Sequence, residues 1–223
     1  MPDLTVIYYT ANRLPPLFMR SVQANILNSL GDAPLISVSC EPLAFGQNVC
    51  VGPHVPTTWW IYWQILTGVM LAQTPYVAMA EDDCLYTPEH FSLRPSREDV
   101  ILYNVNRWQV QEDCYFYRRR ASMLACIAPR DYLASALCAR FAKYPHPLTP
   151  PADTGWGEPG RKDDQIGLPK PNKEEVETRD PILTFNHRDG LGRRHISHAD
   201  RVVGTLAPWG PASALWTRIH GSV

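Results

Sequence analysis

Apolar positions along this chain fall into two rhythms. Residues 4–9 (Leu-Thr-Val-Ile-Tyr-Tyr) are a β-branched and aromatic run that predicts a first strand. Thr10-Ala11-Asn12-Arg13 follows as a polar loop. Pro15-Pro16 then opens a helix in which Phe18, Val22, Ile26 and Leu30 share one face, and Gly31 stops it. Residues 34–40 carry a second strand, Leu35-Ile36-Ser37-Val38-Ser39. Strand, helix and strand in this succession favour parallel pairing. A second helix is predicted over 57–72, with Thr57 or Thr58 as its N-cap. Pro75 ends it, and a strand follows at 76–80. Residues 100–103 and 122–128 read as strands and 129–141 as a helix. Residues 143–171, rich in Pro and Gly, predict a long surface loop, a kind of segment that is usually functional or mobile. Strand character returns at 180–186, a polar glycine-containing loop follows at 187–194, and 209–219 has a short amphipathic pattern. The expectation is an α/β, Rossmann-like single domain over 1–223, with a mainly parallel central sheet flanked by helices. No internal repeat and no domain boundary is visible.

Composition narrows the function classes. With 223 residues and 45% hydrophobic content the chain can bury a large core. A formal net charge of -1 argues against a strong nucleic-acid binder, although a local basic patch is compatible with it. The 21 prolines point to long ordered loops rather than a helical bundle. Six cysteines (Cys40, Cys50, Cys84, Cys114, Cys126 and Cys138) include no C-x-x-C pair, which argues against a zinc ribbon or a redox motif. Several lie in apolar runs, as buried thiols do. No signal peptide opens the chain, and no apolar run approaches the roughly 20 residues of a membrane span. The expectation is a soluble, cytoplasmic protein.

The chemistry concentrates where Val77-Ala78-Met79-Ala80 runs into Glu81-Asp82-Asp83. A buried strand ending in three carboxylates puts anionic oxygens at the carboxyl edge of a sheet, where open α/β folds bind ligands. The carboxylates repel one another unless a cation sits among them, and a hard divalent ion suits oxygen donors. Strand alternation places Glu81 and Asp83 on one side, while a turn would swing Asp82 in instead. Asp83 is the expected direct metal ligand, with Glu81 or Asp82 contacting a nucleotide or a metal-bound water. The competing reading is an acidic turn after a core strand. His195 and His198 have an H-x-x-H spacing without an evident third ligand. Gly190-Leu191-Gly192-Arg193-Arg194 reads either as a lid whose arginines hold phosphate oxygens or as a solvated basic turn.

Taken together, these motifs resemble those of the GT-A-fold glycosyltransferases, close to glycosyltransferase family 2. The resemblance rests on Val6-Ile7-Tyr8-Tyr9-Thr10 opening the sheet and on Gln64-Ile65-Leu66-Thr67-Gly68 with Ala72 before the acidic strand. It continues with Glu81-Asp82-Asp83 at the D-x-D position, the pair Asp163-Asp164 and a late His187, in the family's order. The chain departs from the pattern at the second strand, which carries Ser39-Cys40-Glu41 instead of an Asp-Asp cluster.

The resemblance implies a GT-A-like domain with a nucleotide-sugar-binding half over 1–105 and an acceptor and catalytic half over 106–223 that has a mobile C-terminal loop. It implies a nucleotide-sugar donor, a UDP-sugar first, and Mn2+ or Mg2+ bridging its phosphates. His187 would complete the metal shell. Thr10, Asn12 and Arg13 would lie along the base and ribose, with Gln64 and Gly68 on the helix approaching the donor. An inverting transfer needs a carboxylate base: the pattern gives Asp164, beside Asp163, and Glu158 is the rival. Trp108 would stack on a sugar or base, or fill the core. The acceptor stays open among hydroxymethylated pyrimidine in DNA, a glycan, a lipid-linked sugar and a protein hydroxyl. Arg118-Arg119-Arg120 and Arg193-Arg194 are the support for DNA. Two other classes compete, a non-catalytic nucleotide-sugar or nucleic-acid binding module and a metal-dependent phosphodiesterase or nuclease.

Overall fold

The computed structural model describes residues 1–55, 57–147, 157–185 and 201–221. The first β-α-β unit forms as its pattern dictates: β1 (Leu4–Thr10), α1 (Pro16–Ser29) and β2 (Leu35–Ser39), with β1 and β2 parallel. Phe18, Met19, Val22 and Ile26 turn the buried stripe of α1 to the sheet. A short strand, β3 (Gln47–Cys50), adds to β2. Helix α2 (Thr58–Leu71) is capped by Thr57, whose hydroxyl accepts from the Trp60 N–H. It leads into β4 (Tyr76–Glu81), which lies parallel to β1 on the side away from β2.

Four elements absent from the sequence reading come next: β5 (Cys84–Leu85), α3 (Pro88–Ser92) and, after β6 (Ile101–Asn104), β7 (Arg107–Val110) and β8 (Tyr115–Tyr117), which form a hairpin. The strand predicted over 122–128 is a short 3-10 turn at Met123–Ala125 followed by β9 (Cys126–Pro129). Then come α4 (Arg130–Lys143), β10 (Lys173–Val176), β11 (Ile182–Phe185), β12 (Val202–Val203), β13 (Thr205–Leu206), β14 (Gly210–Pro211) and α5 (Ala212–His220).

The central sheet has seven strands in the order β10-β6-β9-β4-β1-β2-β3. Pairing is parallel except where β9 runs against β4 and β6. It draws β9 and β10 from beyond residue 105, so the first half of the chain does not make it alone. The expected mainly parallel α/β architecture is therefore present, with an addition: a second sheet, in the order β12-β8-β7-β11-β5. One apolar cluster joins α1 and α5 to the second sheet and one face of the first, while the other packs α2 and α4 on the opposite face. Close approach of α2 requires Gly68, because a Cβ there would collide with Cγ2 of Ile7 on β1. Among the described residues no helix is long and apolar enough to cross a membrane.

Candidate active site

Strand order sets the location. The chain adds β2 and β3 on one side of β1, then crosses to place β4 on the other. The carboxyl ends of β1 and β4 flank this switch point, the position where open sheets leave a crevice for ligands. Register puts Tyr9 of β1 beside Glu81 of β4.

The Tyr9 hydroxyl donates to Glu81 Oε1 at 2.7 Å, and the Glu81 N–H donates to the Tyr86 hydroxyl at 2.9 Å. Asp82 turns toward β1, where its Oδ2 accepts from the Thr10 hydroxyl. Asp83 Oδ1 accepts from the Cys84 thiol at 3.1 Å, and its backbone carbonyl accepts from the Phe185 N–H at 2.9 Å. Ligand atoms of Glu81, Asp83 and Cys84 all lie within 4.8 Å of one another. The Glu81 carboxyl is pushed up to about 8, first by burial and then by the Asp83 charge, against the Tyr9 hydrogen bond and the Arg107 cation. A cation between Glu81 and Asp83 would remove that repulsion. The carboxylate pair suits Mg2+ or Mn2+. The Cys84 thiol, driven up by burial, remains a hydrogen-bond donor to Asp83.

The loop after β1 is built around Asn12, which adopts a left-handed φ of 56°. Its N–H donates to the Thr10 hydroxyl, and its Oδ1 accepts from the N–H groups of Cys40 and Glu41 at 2.9 and 3.1 Å. Asn12 thus ties the end of β1 to the end of β2, and Arg13 beside it is exposed. Gln64 is buried, its amide donating to the carbonyls of Thr10 and Val38 at 2.8 and 3.3 Å. Gln64 thus ties the ends of β1 and β2, while Gly68 packs on Ile7 in the middle of β1, and both are buried.

The second acidic group is built differently. Asp163 is 1% exposed, paired with Arg140 and accepting from the Gly160 N–H at 2.7 Å. Arg140, itself fully buried, also donates to the Gly157 carbonyl at 2.6 Å. Asp163, expected beside the base, is therefore a positioning group: its ion pair fixes the 3-10 turn Asp163–Ile166. Asp164, next on that turn, faces solvent, with Lys170 Nζ at 3.8 Å. Glu158 is nearly buried between Arg120 and Arg161.

Other expectations resolve by burial. Trp108 is 4% exposed, with its Nε1 donating to Asn106 Oδ1, so it fills the core. Of the arginine run, Arg119 pairs with Glu175 and Glu177, Arg120 pairs with Glu158, and Arg118 lies over Phe116. His187, Arg193, Arg194, His195 and His198 lie outside the described residues. Tyr9, Tyr86, Arg107 and Arg140 escaped the sequence reading. For Tyr9 a signal existed, since parallel pairing of two neighbouring strands sets it beside Glu81.

No protein-family model matches the chain, and no curated protein matches it by sequence. Solved structures do match. The chain is similar to a glycosyltransferase involved in the glycosylation of the major capsid of PBCV-1, with TM-score 0.50 and 10% identity over 82% of this chain and 93% of that one. The chain has a GT-A fold. It is also similar to a Drosophila β-1,4-galactosyltransferase 7 mutant in complex with manganese, UDP-Gal and xylobiose (TM-score 0.44, 13% identity, 89% of this chain and 78% of that one). A third similar structure is the bifunctional IspDF of Campylobacter jejuni (TM-score 0.42, 10% identity, 83% of this chain), of which the chain spans 53%. The acidic end of β4 thus sits at the switch point of a GT-A sheet.

Proposed function

We propose that this GT-A protein is a metal-dependent glycosyltransferase that moves a sugar from a nucleotide-sugar, a UDP-sugar first, to an acceptor hydroxyl. The observation that carries the reading is the close Glu81–Asp83 pair at the switch point, with the Glu81 carboxyl pushed up by burial and by the Asp83 charge. Glu81 and Asp83 would hold Mn2+ or Mg2+, which neutralises the charge of the departing diphosphate. Thr10, Asn12 and Arg13 line the base and ribose side, and the Thr10 hydroxyl orients Asp82. His187 would complete the metal shell: it follows Phe185 by two residues, and the Phe185 N–H already bonds Asp83. Arg193 and Arg194 would close over the phosphates. Asp164 takes the acceptor proton, exposed on a turn that the buried Arg140–Asp163 pair holds in place. One observation favours Glu158 instead, since it shares the Arg107 cation with Glu81.

Turnover separates this reading from its rivals. Release of free UDP from a UDP-sugar, dependent on Mn2+ or Mg2+ and lost in Asp83→Ala, is the expected result. Mg2+-dependent cleavage of DNA without turnover of any nucleotide-sugar would instead favour a nuclease. With an acceptor in hand, Asp164→Asn is expected to abolish transfer and spare donor binding. Normal transfer by Asp164→Asn together with its loss in Glu158→Gln would move the base to Glu158.

A further inference from the structure

Arg107 opens β7 of the second sheet, two strands from the β5 that follows the acidic triplet, and is in register with Ile182 of β11 between them. Its Nε is shielded from solvent and makes no hydrogen bond, and among the described residues no carboxylate forms an ion pair with it. Burial is the main influence on its guanidinium and disfavours the charge, and the groups whose charges it feels are Cys84, Arg120, Glu81 and Glu158. Arg107 as a whole is half-buried. The Nε of Arg140 is likewise shielded and unbonded, but Arg140 has Asp163 as its anion, and a charge near the interior is normally paired.

Its neighbours show what this chain otherwise does with arginines. Arg140 is matched by Asp163, Arg120 and Arg161 by Glu158, and Arg119 by Glu175. Arg107 stands beside the same carboxylates without binding one. Glu81 already accepts from Tyr9, and Glu158 is occupied by its two arginines.

We propose that Arg107 is reserved for a ligand oxyanion, the terminal phosphate of a nucleoside diphosphate, and so holds the leaving group of the donor. The inference rests on the donor-site reading above and adds a residue that neither the acidic motif nor the C-terminal loop supplies. A guanidinium presents paired N–H donors that match phosphate oxygens. The chemistry also decides which part of the donor it meets. As transfer proceeds, the bond from the anomeric carbon to the diphosphate oxygen breaks, and its electron pair stays on the diphosphate. The acceptor oxygen bonds the carbon, and the acceptor proton passes to the carboxylate base. Positive charge grows on the sugar ring and negative charge on the leaving oxygen. A fixed cation is repelled by the first and stabilises the second, so Arg107 belongs on the phosphate side. It neither gives nor takes a proton.

Calorimetry with UDP and UMP, in Mn2+ and again in a chelator, tests this on wild type, Arg107→Gln and Arg107→Lys. Loss of one charge-assisted bond predicts that Arg107→Gln weakens UDP ~10–100-fold. UMP, which lacks the second phosphate, should change by no more than about threefold on the same reasoning. Arg107→Lys should recover part of the UDP affinity. Thermal midpoint and Mn2+ affinity should stay near wild type in both variants. If Arg107→Gln fails to fold, Arg107→Lys carries the test, with UDP weakened and UMP unmoved. Unchanged UDP binding in the variants, or equal loss of UDP and UMP with a lower midpoint, would make Arg107 a structural counter-ion and overturn the proposal. Wild-type protein that binds neither nucleotide overturns the donor site itself, and this inference with it.

Discussion

Two acidic groups in this molecule use the same side chains to opposite ends. At 158–164, the buried carboxylates Glu158 and Asp163 each meet an arginine. At 81–83, Glu81 meets a tyrosine hydroxyl and no arginine ion pair, and burial, then the charge of Asp83, push its carboxyl up to about 8. Glu158 and Asp163 are neutralised by the chain, and the Arg140–Asp163 pair anchors its turn. The second group leaves a repulsion at a sheet's switch point, which a proton on Glu81 relieves and a bound cation would relieve in its place. Burial of acidic residues therefore does not mark function by itself; what marks it is a charge that the protein has not balanced.

The largest effect should come from breaking the balanced group. Asp163→Ala leaves Arg140 buried without its anion, and loss of one partner from a buried pair typically costs about 3–5 kcal/mol. Chemical denaturation should show it, and a change below 1 kcal/mol, roughly the value of an exposed pair, would mean that the pair is not structural.

Acid sensitivity should come from neither group but from His90 on α3. His90 is fully buried, its Nδ1 accepts from the Asn104 amide, and burial holds it down to about 3 from an ordinary 6.5. Below pH 6.5 the unfolded chain binds a proton that the folded chain refuses until about pH 3. Stability from this group is thus complete above 6.5 and is lost as pH falls, by about 1.4 kcal/mol per pH unit. His90→Gln should flatten that limb of a stability–pH profile, and an unchanged slope would place the acid sensitivity elsewhere.

Gly68→Ala should produce a smaller loss, about 1–3 kcal/mol from overpacking against Ile7. Measured by thermal melting, no loss at all would mean that α2 moves off β1 at little cost.

Legibility in the sequence followed the length of each element. β1, α1, β2, α2 and β4 each bury enough residues in a period of their own to be read directly, and so does the acidic end of β4. Of the second sheet only β11 was legible, within the strand expected over 180–186: β5, β7, β8 and β12 are two to four residues long, too short for alternation to register. Their pairing depends on partners far along the chain, as between Cys84 and Thr184. β10, Lys-Glu-Glu-Val, carries no strand signal of its own yet pairs with β6 at the sheet edge. Arg140 lies in the predicted helix with no sequence signal for burial, and it is buried with Asp163, 23 residues away, as its partner. Asp163 and Asp164 were visible as a pair, but only the fold separates the anchored one from the exposed one.

The most direct test of the central claim, a cation-dependent nucleotide site at the end of β4, is calorimetric titration of UDP into wild type and Asp83→Asn, each with and without Mn2+. Expected are binding by wild type that requires Mn2+, and its loss in Asp83→Asn with the fold intact. UDP binding that is indifferent to Mn2+ and survives Asp83→Asn would contradict it.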